Sequence, residues 1–354
     1  MFTTSKKPNS VVGLDIETGS IAATEIRGNG SGAVARTAIS PLNPGVINEG
    51  EVQDPDALSE ALRAHFAKHR LGKTVRLGIA NQRVVVRTLQ LPLIEDDEEL
   101  DTAIRFRAQD EIPMPLEQAV LDHYVVSRGT GPEGERQMEV VAVAARRDMV
   151  ASLLGAMRKA GLRPIGIDLS AFGMIRALDG QPVPEGEQAL TTLYCYLGDI
   201  TNLAVARASD CLFARVAPFG IESIATRLAE RESMPLEEAR EWLLDIGLEE
   251  PIEDFEDEPG PAAPAREVLE EGASKLVDEL RVSLEYYSAQ EGVPPIERVI
   301  VCGPGSTVSG LPERIQAGLG LGIEARTPSA LEHLDEEDAA RLTVSYGLAL
   351  GEES

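Results

Sequence analysis

Two short polar turns, far apart in this 354-residue chain, carry side chains that could bind a phosphate group. The first turn follows an apolar run that ends at Asp15, and it contains Thr18, Gly19 and Ser20. Apolar residues on both sides predict a strand, a turn and a returning strand across residues 11–26. Such a hairpin directs backbone N–H groups and a carboxylate to one point, which suits a phosphate bound with Mg²⁺. Asp15 is our candidate Mg²⁺ ligand, and an ordinary β-hairpin is the alternative that this turn alone favours.

The second turn repeats the pattern of the first. An apolar run at residues 190–197 leads into a polar glycine turn, and residues 203–208 form the returning strand. The candidate phosphate-binding residues of this turn are Gly198, Asp199, Thr201 and Asn202. This internal repetition strengthens the phosphate-binding interpretation of both turns.

A third glycine-containing segment follows a predicted strand at residues 298–302. It begins with Gly303 and Gly305, and it satisfies neither of two common phosphate-binding motifs. A dinucleotide fingerprint requires glycine where Val308 stands, and a P-loop requires lysine where Leu311 stands. A glycine loop between a strand and a helix can still let a nucleoside lie against backbone, so Gly303 and Gly305 are candidates for contact with adenosine.

The charge balance limits the classes of partner. The chain has 33 basic and 59 acidic residues, which gives a net charge of −26. This charge repels nucleic-acid phosphates and anionic lipid headgroups, so we expect no nucleic-acid partner and prefer basic protein segments. Neither a signal peptide nor a run of apolar residues long enough to span a bilayer is present. Three cysteines without metal-site spacing read as buried thiols in a reducing cytoplasm.

The remaining pattern predicts several domains, because the chain is too long for one small core. A helix at residues 56–69 carries His65 and His69 four positions apart, and we interpret both as exposed residues, not metal ligands. Strands and helices in the order ββ-α-β-β-α follow residue 75 and predict a separate α+β unit. Residues 181–188 read as a linker, residues 249–264 as a mobile acidic loop, and residues 267–290 as a long amphipathic helix.

Residues 89–124 read LQLPLIEDDEELDTAIRFRAQDEIPMPLEQAVLDHY. This block resembles one of the PilM family, the cytoplasmic actin-like proteins of type IV pilus assembly, whose members read LP…EEL…AIRFEAQ…IPFPLE…LDY. Shorter similarities occur at residues 144–148, 160–164, 167–169, 238–239 and 299–311. The two hairpins, the glycine loop and a final apolar helix at residues 344–350 also follow the order of the actin-like ATPase fold. The resemblance covers nearly the whole chain.

The resemblance implies an α/β chain of the actin-like (ribonuclease H-like) fold with two domains. It also implies an inserted α+β subdomain of the kind that PilM shares with the cell-division protein FtsA. The implied divisions are a first domain at 1–78, the inserted subdomain at 79–165, a return with a linker at 166–188, a second domain at 189–342, and a C-terminal helix at 343–354 that returns to the first domain.

In this family the inserted subdomain helps to form a groove for the cytoplasmic tail of PilN, an inner-membrane protein. The residues that the resemblance proposes for this groove are Leu89, Leu91, Pro92, Ile104, Phe106 and Ile112. The alternative for each apolar residue is a place in the core of the subdomain.

The chain departs from the family pattern at positions that should face a nucleotide. Glu17 replaces a glycine and Ala22 replaces a lysine, because DIETGSIAA stands where a family member reads DIGSSSIKA. Tyr196 replaces the aspartate of the second hairpin, and Arg240 and Leu243 replace a glutamate and a lysine of a helix. We therefore expect weak or absent binding of ATP and Mg²⁺, and no catalytic residues.

These observations predict a cytoplasmic scaffold of type IV pilus assembly that reaches the membrane only through its partners. The partners are a PilN-like tail and other proteins of the pilus machine, and self-association stays open. Two alternatives remain: a working ATPase that drives pilus assembly, and a filament-forming cell-division protein like FtsA.

Overall fold

The computed structural model describes residues 10–28, 32–130, 134–178, 189–251, 260–290 and 292–351. Its first elements are β1 (Ser10–Ile16), β2 (Ser20–Arg27), β3 (Val34–Pro41), β4 (Ile47–Asn48), β5 (Glu51–Val52), α1 (Pro55–His69) and β6 (Thr74–Ile79). β1 and β2 form the predicted hairpin around the first polar turn. α1 begins as predicted, because the Asp54 carboxylate accepts hydrogen bonds from the N–H groups of Asp56 and Ala57.

His65 on α1 contradicts the prediction of an exposed side chain, since it is only 2% exposed. Its Nδ1 lies 2.8 Å from the Ser40 hydroxyl on β3, and Nε2 of His69 lies 3.3 Å from the same oxygen. Nε2 of His65 is buried without a hydrogen-bond partner in the described part of the chain. Burial, followed by the charges of His69 and Lys68, lowers the pKa of His65 to about 4, so this imidazole is neutral near pH 7.

The inserted subdomain has its own three-stranded sheet, in which β9 pairs with β7 on one side and β8 on the other. The elements of this part of the chain are β7 (Val85–Pro92), α2 (Asp97–Glu111), β8 (Ala119–Thr130), β9 (Arg136–Arg146), α3 (Arg147–Lys159), β10 (Arg163–Leu169) and α4 (Ser170–Leu178). The predicted order of elements is therefore confirmed. β10 then pairs in parallel with β6 and completes the sheet of the first lobe.

The second lobe repeats the sheet of the first. Its elements are β11 (Thr191–Leu197), β12 (Thr201–Arg207), β13 (Asp210–Ala217), α5 (Ile221–Glu232), α6 (Leu236–Ile246), α7 (Ala262–Ser288), β14 (Arg298–Cys302), α8 (Leu311–Leu319) and β15 (Ile323–Ala325). The strand order β13-β12-β11-β14-β15 matches the order β3-β2-β1-β6-β10. In both sheets the central strand has an antiparallel hairpin partner on one side and a parallel strand on the other. The internal repetition of the sequence is therefore a repetition of topology.

α7 begins at Ala262, five residues before the predicted start, and this corrects the end of the predicted acidic loop. The residues concerned include three alanines, which favour helix, and a proline in the first turn, where no intrahelical N–H bond is required. Residues 252–259 of that loop and the predicted linker at residues 181–188 lie outside the described residues. Within the described ranges, no helix is long and apolar enough to cross a membrane.

The chain returns to the first lobe through α9 (Glu336–Arg341) and α10 (Thr343–Leu350). α10 packs against α4 and β1 at distances that exclude side chains at two glycines. A Cβ on Gly347 would lie 1.7 Å from the Gly173 carbonyl oxygen of α4, and a Cβ on Gly13 would lie 1.9 Å from the Ser345 carbonyl oxygen. The hydroxyls of Thr24 and Ser345 are 2.8 Å apart and join β2 to the same helix.

Candidate functional site

The two polar turns meet across the cleft between the lobes. The Gly19 N–H of the first turn donates to Oδ2 of Asp199 over 2.8 Å. In return, the Asp199 N–H of the second turn donates to Oε1 of Glu17 over 3.1 Å. We call this reciprocal pair of hydrogen bonds the interlobe clasp. The structure thus brings together the turns that the sequence selected, but each turn binds the other.

Asp15 lies at the end of β1 inside the cleft and is only 6% exposed. Its Oδ1 accepts a hydrogen bond of 3.2 Å from the hydroxyl of Ser170, the first residue of α4. Burial raises the pKa of Asp15 to about 6, the Ser170 hydrogen bond opposes this rise, and the Asp199 charge adds to it. The carboxylate is therefore held in an environment that disfavours its charge.

Glu17 and Asp199 lie in the same cleft, and burial raises the pKa of each carboxyl group, as it does for Asp15. Desolvation first, and then the charges of Asp199 and Asp15, raise the pKa of Glu17 well above its ordinary value, while Arg341 lowers it. Desolvation and the Glu222 charge raise the pKa of Asp199 to about 6. The three carboxyl groups are therefore in surroundings that disfavour negative charge, and a polyphosphate would add more of it there.

Protein side chains occupy the space that two turn glycines leave open. A Cβ on Gly198 would lie 2.2 Å from Oε1 of Glu17, and a Cβ on Gly19 would lie 2.5 Å from Nη2 of Arg240. Arg240 is held there by a bidentate ion pair with Glu222, whose second bond joins the Arg240 Nε to Oε2 over 2.9 Å. Glycines that would let a phosphate approach backbone here face a carboxylate and an ion pair of the protein.

The space left in the cleft is small. One cavity of about 20 Å³ lies between the turns, and its lining includes Asp15, Glu17, Thr18, Ser170, Tyr196 and Asn202. A second cavity of about 20 Å³ lies beside it, and its lining includes Asp199, Glu222, Arg240, Pro304, Val308 and Arg341. Each has room for about one water molecule. No group of three or more His, Cys, Asp or Glu side chains among the described residues is placed to hold a metal ion.

The other candidate residues are committed to the fold. The Thr201 hydroxyl donates to the Phe219 carbonyl oxygen over 2.6 Å, and buried Ser20 accepts the Glu17 N–H at its carbonyl oxygen. A Cβ on Gly303 would lie 2.9 Å from the Tyr196 ring, and one on Gly305 would lie 2.7 Å from Cβ of Leu197. The glycine loop therefore packs its open faces on the end of β11, although Pro304 between them borders the second cavity.

Sequence reasoning missed three residues of the cleft: Ser170, Glu222 and Arg341. Each lies on a helix that reaches the cleft only through tertiary packing, and none belongs to a motif. Arg341 on α9 is bound to Glu337 through hydrogen bonds of 3.1 and 2.9 Å, and its charge lowers the pKa of Glu17. No local pattern in the sequence marks these residues.

The sequence model of the family described as type IV pilus assembly protein PilM matches residues 13–351. The chain belongs to this family. Among solved structures it is similar to a PilM-PilN type IV pilus biogenesis complex, with a TM-score of 0.80, 25% identity and coverage of 98% of both chains. The expected resemblance to PilM is thus confirmed over nearly the full length.

Two more distant structures share the fold alone. The ethanolamine utilization protein EutJ from Carboxydothermus hydrogenoformans has a TM-score of 0.56 and 16% identity, with 97% of this chain and 90% of that chain covered. MreB5 of Spiroplasma citri bound to ADP has a TM-score of 0.54 and 13% identity, with 97% and 95% covered. These similarities confirm the predicted actin-like fold with two lobes.

The six residues expected for the PilM-family partner groove fall into two groups in the structure. Leu89, Leu91, Ile104 and Ile112 are 1–4% exposed. They belong to the core of the subdomain, between α2 and the sheet of β7, β8 and β9, which is the alternative stated for them. Pro92 and Phe106 are exposed, and Phe106 is 69% exposed. Of the six, these two lie at the surface of the subdomain.

Phe106 lies beside acidic residues on the outer face of α2. A shallow depression there is lined by Asp96, Glu98, Glu99, Thr102, Ala103 and Phe106. Residues three and four positions apart on a helix share a face, so Phe106 lies next to Ala103 and Thr102 with the acidic residues toward the helix start. This surface combines one large apolar side chain with negative charge.

Proposed function

We propose that this chain is a cytoplasmic scaffold of type IV pilus assembly that binds the cytoplasmic tail of a PilN-like inner-membrane protein. The observation that carries the proposal is the match of the PilM family over residues 13–351. The similarity to the solved PilM-PilN complex supports the choice of partner. The chain itself stays outside the membrane and reaches it through that partner and through other proteins of the pilus machine.

The surface around Phe106 fits a tail with an apolar centre and basic flanks. Phe106 offers a large apolar side chain, and Asp96, Glu98 and Glu99 offer negative charge beside it. The net charge of −26 attracts basic segments over the whole molecule. We therefore place part of the tail contact on this face of α2, next to exposed Pro92.

The scaffold works without hydrolysing ATP. Sites for drug-sized ligands and cofactors are about 300–1,000 Å³, whereas each cavity of this cleft is about 20 Å³. Glu17, Arg240 and Glu222 fill the space beside the turn glycines, and Asp15 shares the cleft with two further carboxyl groups, Glu17 and Asp199, whose pKa values are also raised. The residues present do not fit ATP with Mg²⁺, so we assign no step to either.

The test is binding of the full chain to a synthetic tail of the PilN-like protein from the same organism, measured by calorimetry. A control peptide of equal length has its basic residues replaced by glutamate. We expect the native tail to bind and the control not to bind. Equal binding of both peptides, or of neither, contradicts the proposed partner. Release of phosphate from ATP that Asp15→Ala abolishes would instead support the ATPase alternative.

A further inference from the structure

We propose that the Glu17 carboxylate is a built-in ligand that occupies the place of a phosphate and keeps the two lobes closed without nucleotide. This inference deepens the proposed function and rests on its nucleotide-free cleft. Its consequence is that the closed arrangement belongs to the chain itself and does not depend on a cofactor.

Glu17 accepts a hydrogen bond from a donor of the kind that binds anions. The Asp199 N–H belongs to a glycine-containing turn between two strands, and such turns direct N–H groups at anions. A carboxyl oxygen of Glu17 accepts the Asp199 N–H as a phosphate oxygen would. At 3.1 Å, Oε1 of Glu17 therefore satisfies the group that would otherwise bind an anion from solution.

The two turns bind each other in both directions. The Gly19 N–H of the first turn donates to Asp199 of the second turn over 2.8 Å. Each turn therefore supplies one carboxylate and one backbone N–H to the other. Two hydrogen bonds in opposite directions fix both the separation and the relative orientation of the turns, as a ligand held between them would.

Protein side chains fill the space around the interlobe clasp. The missing Cβ of Gly198 is what admits Oε1 of Glu17, since a Cβ there would lie 2.2 Å from it. The missing Cβ of Gly19 likewise admits Arg240, which Glu222 holds in place. Side chains of the protein therefore occupy the space beside both glycines, and an anion from solution would have to displace Glu17 and Arg240 together.

Tyr196 and Arg341 also act on the Glu17 side chain. The Tyr196 hydroxyl donates toward Oε2 over 3.4 Å, and the Arg341 charge partly opposes the burial and the Asp199 and Asp15 charges that raise the pKa of Glu17. Both carboxylate oxygens of Glu17 therefore have a donor from β11 or from the turn that follows it. Glycine at position 17 would leave the Asp199 N–H and the Tyr196 hydroxyl without this acceptor.

The experiment measures the distance between the lobes with two spin labels. The three native cysteines are buried, so labels attach to introduced cysteines at exposed positions, Lys68→Cys on α1 and Glu313→Cys on α8. Without nucleotide, we expect one narrow distance population for the chain with Glu17. Glu17→Gly and Glu17→Ala, which both remove the acceptor, should add a second population at longer distance. Glu17→Gln keeps an oxygen acceptor and should retain the narrow population.

Circular dichroism first tests whether each variant is folded. If Glu17→Gly is unfolded, Glu17→Ala is used in its place. A folded Glu17→Ala protein with the same narrow population as the chain with Glu17 would overturn the inference, and so would a Glu17→Gln protein as broad as Glu17→Ala. These measurements contain no nucleotide and no tail peptide. Failure of the tail to bind therefore counts against the proposed partner alone, and an unchanged distance counts against the clasp alone.

Discussion

The hydroxyl of Tyr196 lies 3.4 Å from Oε2 of Glu17. Both residues depart from the PilM-family pattern, and they lie on opposite sides of the cleft. Arg240, a third departure, lies against Gly19 in the same turn as Glu17. These three of the five departures therefore lie at one place in the cleft, where a residue from each lobe fills space or satisfies a hydrogen bond of the other.

The contact between Tyr196 and Glu17 predicts coupled effects on stability. Tyr196→Phe should lower the free energy of unfolding by about 0.5–1.5 kcal/mol in the chain with Glu17, because a hydrogen bond to the carboxylate is lost. In a Glu17→Ala background the same change should cost clearly less. The matched control is Tyr287→Phe, which removes a 2.9 Å hydrogen bond to the Pro294 carbonyl oxygen far from the cleft. Urea denaturation measures the free energy of unfolding of all variants. The coupling is contradicted if Tyr196→Phe costs the same with and without Glu17, as Tyr287→Phe should.

ATP should bind weakly. Two or three missing charge-assisted contacts, at about 1.5–3 kcal/mol each, would weaken a micromolar site to a dissociation constant no better than roughly 0.1 mM. Calorimetry with ATP and Mg²⁺ measures this, and Asp15→Ala is the control for binding in the cleft. A micromolar constant that Asp15→Ala abolishes would refute the proposed nucleotide-free scaffold.

Tail binding should depend on Phe106. Phe106→Asp places a charge where the apolar centre of the tail is expected, and burial of an aromatic side chain contributes about 1.5–3 kcal/mol. We expect at least a roughly tenfold loss of affinity, and faster dissociation accounts for most of it. Because Phe106 is 69% exposed, the variant should keep its circular dichroism spectrum.

The matched control for Phe106 is Val282→Asp on α7, which changes another exposed apolar residue, 52% exposed, in the second lobe. It should bind the tail with unchanged affinity. Added salt should slow association for the unaltered chain, since the acidic residues beside Phe106 attract the basic flanks. A folded Phe106→Asp protein that binds as tightly as Val282→Asp would exclude this face of α2.

His65 should make stability depend on pH. Its pKa is lowered from an ordinary 6.5 to about 4 in the folded state, so the unfolded chain binds a proton first as pH falls. The resulting stability is present above about pH 6.5 and is lost as pH falls toward about 4, at up to about 1.4 kcal/mol per pH unit. His65→Asn keeps a donor near Ser40 and cannot titrate, so its loss between pH 7 and pH 5 should be smaller. Parallel urea titrations at the two pH values decide this.

Close packing of α10 predicts opposite effects of alanine at two helical glycines. Gly347→Ala should lower the free energy of unfolding by about 1–3 kcal/mol, because the new Cβ would meet the Gly173 carbonyl oxygen. Gly155→Ala on α3 meets nothing within 4 Å and should raise it by about 0.4–1 kcal/mol, since alanine favours helix. Thermal unfolding compares the pair, and a stabilising Gly347→Ala would contradict the packing.

Local patterns were enough to predict the hairpins and most helices. The turn around Gly19 and the cap at Asp54 depend on neighbours in sequence, and the structure confirms both. The family resemblance assigned residues of both turns to one pocket, and Asp15 and Asp199 lie in the same cleft. The clasp could not be predicted, because it depends on where the Glu17 side chain lies relative to a turn in the other lobe.

Helical periodicity contained part of the burial pattern. His65 was predicted as exposed, although it lies three and seven positions after the buried Leu62 and Leu58 and therefore shares their face of α1. The same spacing separates the groove residues of α2. Leu100, Ile104 and Ala108 are spaced by four and share the buried face of α2, whereas Phe106 is two positions from Ile104 and points elsewhere. A stricter use of that spacing would have separated Phe106 from the core residues.

The position of α10 also bears on how the chain is synthesised. The sheet of the first lobe is made entirely from residues before 170, yet Gly13 and Gly173 are packed against a helix at residues 343–350. During synthesis, the strands of the first lobe therefore emerge from the ribosome long before α10, which packs against them. All strands of the second lobe have also emerged before α10. The second lobe can therefore reach its final packing first, and the packing of the first lobe is completed only after residue 350 has emerged.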